Sequence, residues 1–204
     1  IYDAAHAFGA RYNGKSLASY GDISTLSFHA TKLFHTIEGG ACIVKDRAVS
    51  EKLDLIKRFG HEGNDHFMLG INGKQDEFNA AMGLANFKHL DEIIAARRHV
   101  CEQYDTFLKG RFRRPQMRDG MEYNHAYYPI VFESENELIA AFERLAETGV
   151  YPRRYFYPSL NTLPYLKEAP ACPVSEDIAS RIACLPLYVG LEDDKIREIC
   201  AELI

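Results

Sequence analysis

Apolar positions along the chain fall into two spacings. Short β-branched or aromatic runs bounded by glycine, proline or polar turns predict strands. Longer runs with apolar residues at threes and fours predict helices. Ile1-Tyr2 runs into Asp3 as the end of a strand, and Ala4 to Phe8 is a turn or short helix closed by Gly9. Tyr12-Asn13-Gly14-Lys15 is a turn signal. Ile23 to Phe28 and Ala41 to Val44 are expected to be neighbouring strands flanking a loop that contains Lys32. Val49 to Phe59 carries Leu53 and Ile56 at helical spacing. Gly60 to Gly73 reads as a glycine-rich loop with His61, Asn64, His66 and Asn72.

The longest periodic stretch runs from Asp76 to Leu108 and predicts one long or kinked helix, with a break near His89-Leu90-Asp91. Tyr127 to Phe132 is a strand in which Pro129 marks an edge or bulge. Ser134 and Glu137 form a helix-capping signature, and that helix stops at Gly149. Val150 to Phe156 reads as a strand and Pro158 to Pro173 as loop. Val174 to Ile182 is a helix, Cys184 to Leu187 a short strand, and Glu192 to Leu203 a final helix. Strands alternating with helices make the chain α/β or α+β.

Composition narrows the function classes. The chain has 204 residues, 47% hydrophobic and 26% charged, with a net charge of -5. Those values are ordinary for a globular protein and give no basic footprint for nucleic acid or an anionic membrane. No apolar run approaches a membrane-spanning length. Cys42, Cys101, Cys172, Cys184 and Cys200 are odd in number and widely scattered, so a reducing, cytoplasmic setting is expected. The strand end at residue one, with no methionine before it, leads us to expect the C-terminal portion of a longer protein.

The chemistry concentrates in two stretches. One is Asp3-Ala4-Ala5-His6-Ala7-Phe8; the other is Ser27-Phe28-His29-Ala30-Thr31-Lys32, followed by Glu38-Gly39-Gly40. Pyridoxal phosphate asks a protein for four things. A lysine must form the Schiff base, and a carboxylate must keep the pyridine nitrogen protonated. Small donors must hold the phosphate, and a polar group must orient the phenolic oxygen. Asp3, His6, Ser27 and Lys32 could supply all four. Taken singly, a strand-end aspartate is an ordinary cap and a lone lysine an ordinary surface charge; the combination is the signal. His61-Glu62 with His66 has the wrong spacing for a helical zinc motif.

These stretches resemble the DegT/DnrJ/EryC1/StrS family of pyridoxal-phosphate sugar aminotransferases. The likeness continues through Gly70-Ile71-Asn72-Gly73, Ala80-Ala81-Met82-Gly83, Arg154-Tyr155-Phe156-Tyr157-Pro158 and Cys184-Leu185-Pro186-Leu187, and so covers essentially the whole chain. It implies an α/β architecture of fold type I, the aspartate aminotransferase type. Residues 1–95 would be the C-terminal part of the large cofactor domain, and residues 96–204 the small α+β domain. It implies Lys32 as Schiff-base lysine and proton shuttle, Asp3 at the pyridinium nitrogen, His6 near the phenolic oxygen and Ser27 at the phosphate. Asn72 would reach the cofactor phosphate of the neighbouring subunit, so the active site would be shared in a homodimer.

Two departures from the family stand out. Relatives carry roughly as many residues again before the aspartate motif, and many have a histidine near the position of Asn161. The implied substrate is a nucleotide-linked keto-deoxysugar, a 4-keto-6-deoxyhexose on dTDP, with glutamate as amino donor, in amino-sugar synthesis for surface polysaccharide. Arg153 and Arg154 are candidates for its diphosphate. Two other readings stay open. One is a dehydratase of the same family, in which histidine replaces the Schiff-base lysine. The other is a non-catalytic fragment or dimerisation module.

Overall fold

In the computed structural model, which describes residues 1–204, the chain forms two compact units. The first comprises Ile1–Ile94 and Arg118–Asn124; the second comprises Ala95–Met117 and His125–Ile204. The chain therefore leaves the first unit, returns to it for a few residues, and leaves again.

In the first unit, β1 (Tyr2–Asp3) is followed by a hairpin of β2 (Arg11–Tyr12) and β3 (Lys15–Ser16). Asn13 and Gly14 at its tip have φ of 49° and 71°, the left-handed pair that a tight hairpin needs and that Asn-Gly tolerates. β4 (Ile23–Ser27) lies between β1, to which it is parallel, and the antiparallel β5 (Gly40–Val44). The expected neighbouring strands thus pair from Ile23↔Val44 to Ser27↔Gly40, and residues 28–39 arch between them. Helix α1 (Arg47–Lys57) starts where Asp46 Oδ1 accepts the Val49 amide at 2.9 Å.

The glycine-rich stretch contains more order than its pattern predicts: β6 (His61–Glu62) and β7 (Asp65–His66) form a hairpin around Gly63-Asn64. Strands of two polar residues leave no alternation to read. The expected long helix is two helices, α2 (Glu77–Phe87) and α3 (Leu90–Leu108). After α3 the chain re-enters the first unit as β8 (Met121–Glu122), which pairs with β2. Neither α1 nor any α2 residue except Gly83 is buried. Phe67, Leu69, Ile71, Phe78, Leu84 and Phe87 are exposed.

The second unit has the larger core. Antiparallel β9 (Pro129–Val131) and β10 (Ile182–Cys184) pair directly. Around them pack α3, α4 (Glu135–Glu147), α5 (Pro173–Arg181) and α6 (Asp193–Leu203), burying Tyr104, Tyr128, Phe132, Leu138, Leu145 and Ile196. Ser134 Oγ accepts the Glu137 amide at 3.2 Å, and the Glu137 carboxylate turns back to the Glu133 amide at 3.2 Å. The cap is thus the signature expected, displaced by one residue on its return side. Arg97 donates to three main-chain carbonyls, those of His125 (2.8 Å), Leu187 (2.9 Å) and Ala126 (2.6 Å).

Two expectations are corrected here. Val150 to Phe156 is not a strand: only Arg153 meets β10, bridging Cys184. Pro152 has no N–H for a ladder, and the aromatic run beyond is spent on packing of Tyr155 against Tyr127 and Phe156. The strand placed at Cys184 to Leu187 lies two residues earlier, at Ile182–Cys184. Pro186 ends any further pairing. No helix is long and apolar enough to cross a membrane.

Candidate active site

Parallel β1 and β4 run side by side with Asp3 opposite Thr25. Their C-terminal ends therefore face the same way, the side of an α/β sheet at which ligands bind. Asp3 lies at the end of β1, where Oδ1 accepts the Ala5 amide at 3.0 Å. The Ala4 amide bonds Thr25 O and the Ala7 amide bonds Ala4 O, both at 2.9 Å. This turn carries His6 out beside the end of β4. Ser27 closes β4, its Oγ accepting from the His29 amide at 3.4 Å. The Lys32 amide then bonds His29 O at 2.9 Å, so the chain turns sharply and brings Lys32 Nζ to 3.3 Å from His6 Nε2.

Neither loop stands alone. Phe8 stacks on Phe34 at 4.7 Å, and Phe28 meets both edge-on at 5.7 and 5.1 Å. Phe87 of α2 meets Phe34 edge-on at 5.9 Å. The Gln75 amide donates to Thr36 Oγ1 (3.2 Å) and Glu38 O (3.0 Å), and Asn86 Nδ2 donates to His35 O at 3.0 Å. Gly83 must be glycine for α2 to sit here, since a Cβ would lie 2.6 Å from Thr36 Cγ2. On the other loop, the buried Asn124 donates from Nδ2 to the carbonyls of His6 (3.0 Å) and Phe8 (2.8 Å).

Electrostatics follow from this crowding. His6 is accessible to water, yet the protein packed around its ring lowers its pKa; the Lys32 charge lowers it further and Asp3 acts in the opposite sense. An ammonium only donates, so His6 Nε2 is the acceptor and its ring proton lies on Nδ1. A cleft of about 360 Å³, within the range of small-molecule sites, is bordered by Asp3, His6, Tyr123 and Asn124.

The structure therefore brings Asp3, His6 and Lys32 together, with Ser27 at the end of the adjoining strand. Asn72 is exposed beside the C-terminal end of α1, where it bridges Arg58. Arg154 is committed within the second unit, donating to Glu135 and to Ser180 O at 2.6 Å each and lying over the Tyr157 ring. Arg153 is exposed over Tyr155. Asn161 donates to Glu176 and accepts from Ser159, both at 2.6 Å, and so ties its loop to α5. Burial raises the pKa of Cys101 and Cys200 to about 11 and of Cys184 to about 12, which keeps these thiols from acting as nucleophiles. Asn124, Gln75 and Asn86 escape a reading of the sequence, because no local spacing marks a side chain that bonds a distant carbonyl.

Comparison with known proteins identifies the family and the fold. The model of the DegT/DnrJ/EryC1/StrS aminotransferase family matches residues 1–204. A dTDP-4-amino-4,6-dideoxy-D-glucose transaminase of Shigella dysenteriae is 36% identical over all of this chain and 58% of its own length. A GDP-perosamine synthase of Vibrio cholerae is 31% identical over 98% of this chain and 57% of its own. The crystal structure of DesI in the presence of its TDP-sugar product superimposes with a TM-score of 0.88 at 30% identity, over 98% of this chain and 53% of that one. The aminotransferase TlmJ of Streptoalloteichus hindustanus, at 24% identity and a TM-score of 0.91, shares the fold. This chain thus spans less than three-fifths of the length of these relatives. Its architecture is the α/β fold type I expected from its motifs, and the chain belongs to the DegT/DnrJ/EryC1/StrS aminotransferase family.

Proposed function

We propose that the protein containing this chain is a pyridoxal-phosphate-dependent aminotransferase of a nucleotide-linked keto-deoxysugar. The one observation that carries the proposal is the pairing of Lys32 Nζ with His6 Nε2 at 3.3 Å beside Asp3, at the C-terminal ends of parallel strands. The substrate is a 4-keto-6-deoxyhexose on dTDP, the amino donor glutamate and the setting cytoplasmic synthesis of surface-polysaccharide sugars. The named activities of the Shigella and Vibrio relatives support the nucleotide-sugar class. In this reading residues 1–95 serve the cofactor and residues 96–204 form the small domain.

The donor set fits the cofactor. Lys32 offers an amine on a loop, Asp3 a carboxylate at a strand end, Ser27 a hydroxyl, and His6 a ring between Lys32 and Asp3 in charge influence. When bound, pyridoxal phosphate supplies an electron sink for the bonds broken in amino transfer. The chain's residues do the rest. Lys32 attaches the cofactor and moves a proton at the reacting carbon. His6, held neutral by the protein packed around its ring and by the Lys32 charge, accepts a hydrogen bond from Nζ and orients the amine. Asp3 holds an anion at the pyridine nitrogen and keeps it protonated. Ser27 binds phosphate, joined by Asn72 from a second subunit. Exposed Phe67, Leu69, Ile71 and Phe78 supply apolar area for that association. Lys32 disfavours the dehydratase reading, in which histidine stands at this position.

The test is spectroscopic and chemical. Pyridoxal phosphate added to the intact protein should give visible absorbance that borohydride fixes onto the peptide containing Lys32. Glutamate and a dTDP-4-keto-6-deoxyhexose should then yield the 4-amino sugar. Absorbance fixed on another lysine, or a modified Lys32 with no amino sugar formed from any nucleotide keto-sugar, would overturn the proposal.

A further inference from the structure

We infer that Asn124 is a positioning residue for His6, acting through the backbone on both sides of Ala7. This rests on the proposed function only in what His6 is positioned for. Asn124 is 2% exposed, and its amide nitrogen carries two hydrogens. The carbonyls of His6 and Phe8 each receive a bond from that nitrogen, at 3.0 and 2.8 Å. Both carbonyls flank one peptide pair, so the clamp fixes the plane from which the His6 side chain leaves the backbone. The clamp arrives from 116 to 118 residues away along the chain. It comes on the short re-entrant stretch Arg118–Asn124, which β8 anchors to β2. Gly9 (φ 81°) lies directly after the clamped segment, and a Cβ built on it would meet Asn124 Cβ at 3.7 Å, so the loop folds closely over this side chain. The whole arrangement is well suited to hold an imidazole within bonding distance of Lys32, and a flexible loop would not hold it so.

Two variants of the intact protein separate positioning from packing. Asn124→Asp keeps the shape and, when ionised, removes both donors and repels both carbonyls; Asn124→Ala removes shape and donors together. Hydrogen exchange of the amides of residues 5–10 should quicken roughly tenfold to thirtyfold in both, the effect of losing two ordinary hydrogen bonds. The imidazole titration of His6, followed by nuclear magnetic resonance in the apo protein, should move up toward its ordinary midpoint as the ring drifts from Lys32 and its packing. Attachment of pyridoxal phosphate to Lys32 should slow in parallel. If Asn124→Asp exchanges at the wild-type rate and titrates as the wild type does, Asn124 only fills space and the inference fails. It fails equally if exchange quickens while the His6 titration stays put. If the wild-type protein binds no pyridoxal phosphate, the functional reading falls, and exchange and titration still decide the role of Asn124.

Discussion

Phe8 and Phe34 stack with ring centroids 4.7 Å apart and planes 19° from parallel. One follows His6 by two residues and the other follows Lys32 by two. The aromatic contact thus closes a small ring of structure, with the His6–Lys32 hydrogen bond at one end and the stacked rings at the other. Offset ring pairs of this kind stabilise by about 0.5–1.5 kcal/mol beyond their buried area. That adds to the edge-on contacts of Phe28 and Phe87 in favouring one arrangement of the two loops.

The role of Asp3 predicts a separation of binding from turnover. Asp3→Asn keeps the turn, since the amide oxygen still accepts from the Ala5 amide, but it removes the anion. Turnover of the loaded intact enzyme should fall on the order of 10²-fold or more, with pyridoxal phosphate still attached to Lys32. A single-turnover rate within a few-fold of wild type would show that Asp3 serves only the turn.

His6 gives a pH dependence whose sign is fixed by its environment. Its folded-state pKa lies below the ordinary 6.5. As the pH falls through that value, the unfolded chain takes up a proton that folded His6 refuses, so stability declines on the acid side and is unaffected well above it. The neutral ring that accepts from Lys32 is lost in the same window. Cofactor attachment should therefore weaken as the pH falls below the ordinary imidazole midpoint, and His6→Gln, an acceptor that does not titrate, should flatten that limb. An unchanged acid limb in His6→Gln would assign it to another group.

Asn72 is exposed and bridges Arg58, and its proposed role is on a second subunit's phosphate. Mixing inactive Lys32→Ala and inactive Asn72→Ala proteins should restore up to one good site per heterodimer. Activity should approach about one quarter of wild type at equal mixing, given random pairing into twofold dimers. Heterodimers that form and stay inactive would remove Asn72 from the site.

Arg97 predicts stability rather than catalysis. Arg97→Met keeps the apolar stem and strips donors from the carbonyls of His125, Ala126 and Leu187. The cost should be roughly 2–4 kcal/mol, read as a lower denaturation midpoint with quickened amide exchange in the second unit. A change below about 0.5 kcal/mol would mean that water replaces the guanidinium at these carbonyls.

How much of this was legible in the sequence depended on whether the causes were local. The turns after Asp3 and after Ser27 could be read because their causes are local; the approach of Lys32 to His6, 26 residues apart, could not, since it depends on β1 pairing with β4. The Ser134 cap and the glycines that end helices were legible because they too are local. β6, β7 and β8 were not, because strands of two residues have no period. Val150 to Phe156 looked like a strand by composition, and Pro152 with its aromatic neighbours shows why composition misled. Asn124 was invisible: nothing near Tyr123-Asn124-His125 announces that its amide will meet carbonyls at residues 6 and 8.

The re-entrant stretch also sets an order of events during synthesis. The first unit includes Arg118–Asn124 although its main run ends at Ile94. Ribosomes add about 5–20 residues each second, so residues 1–94 emerge seconds before the strand that pairs with β2 and the amide that clamps the His6 loop. Until then the nascent unit carries an unpaired sheet edge at Arg11 and Tyr12 and a slack histidine loop. A gene divided after Ile94 would make that interim condition permanent, which is a reason for the two units to be inherited together.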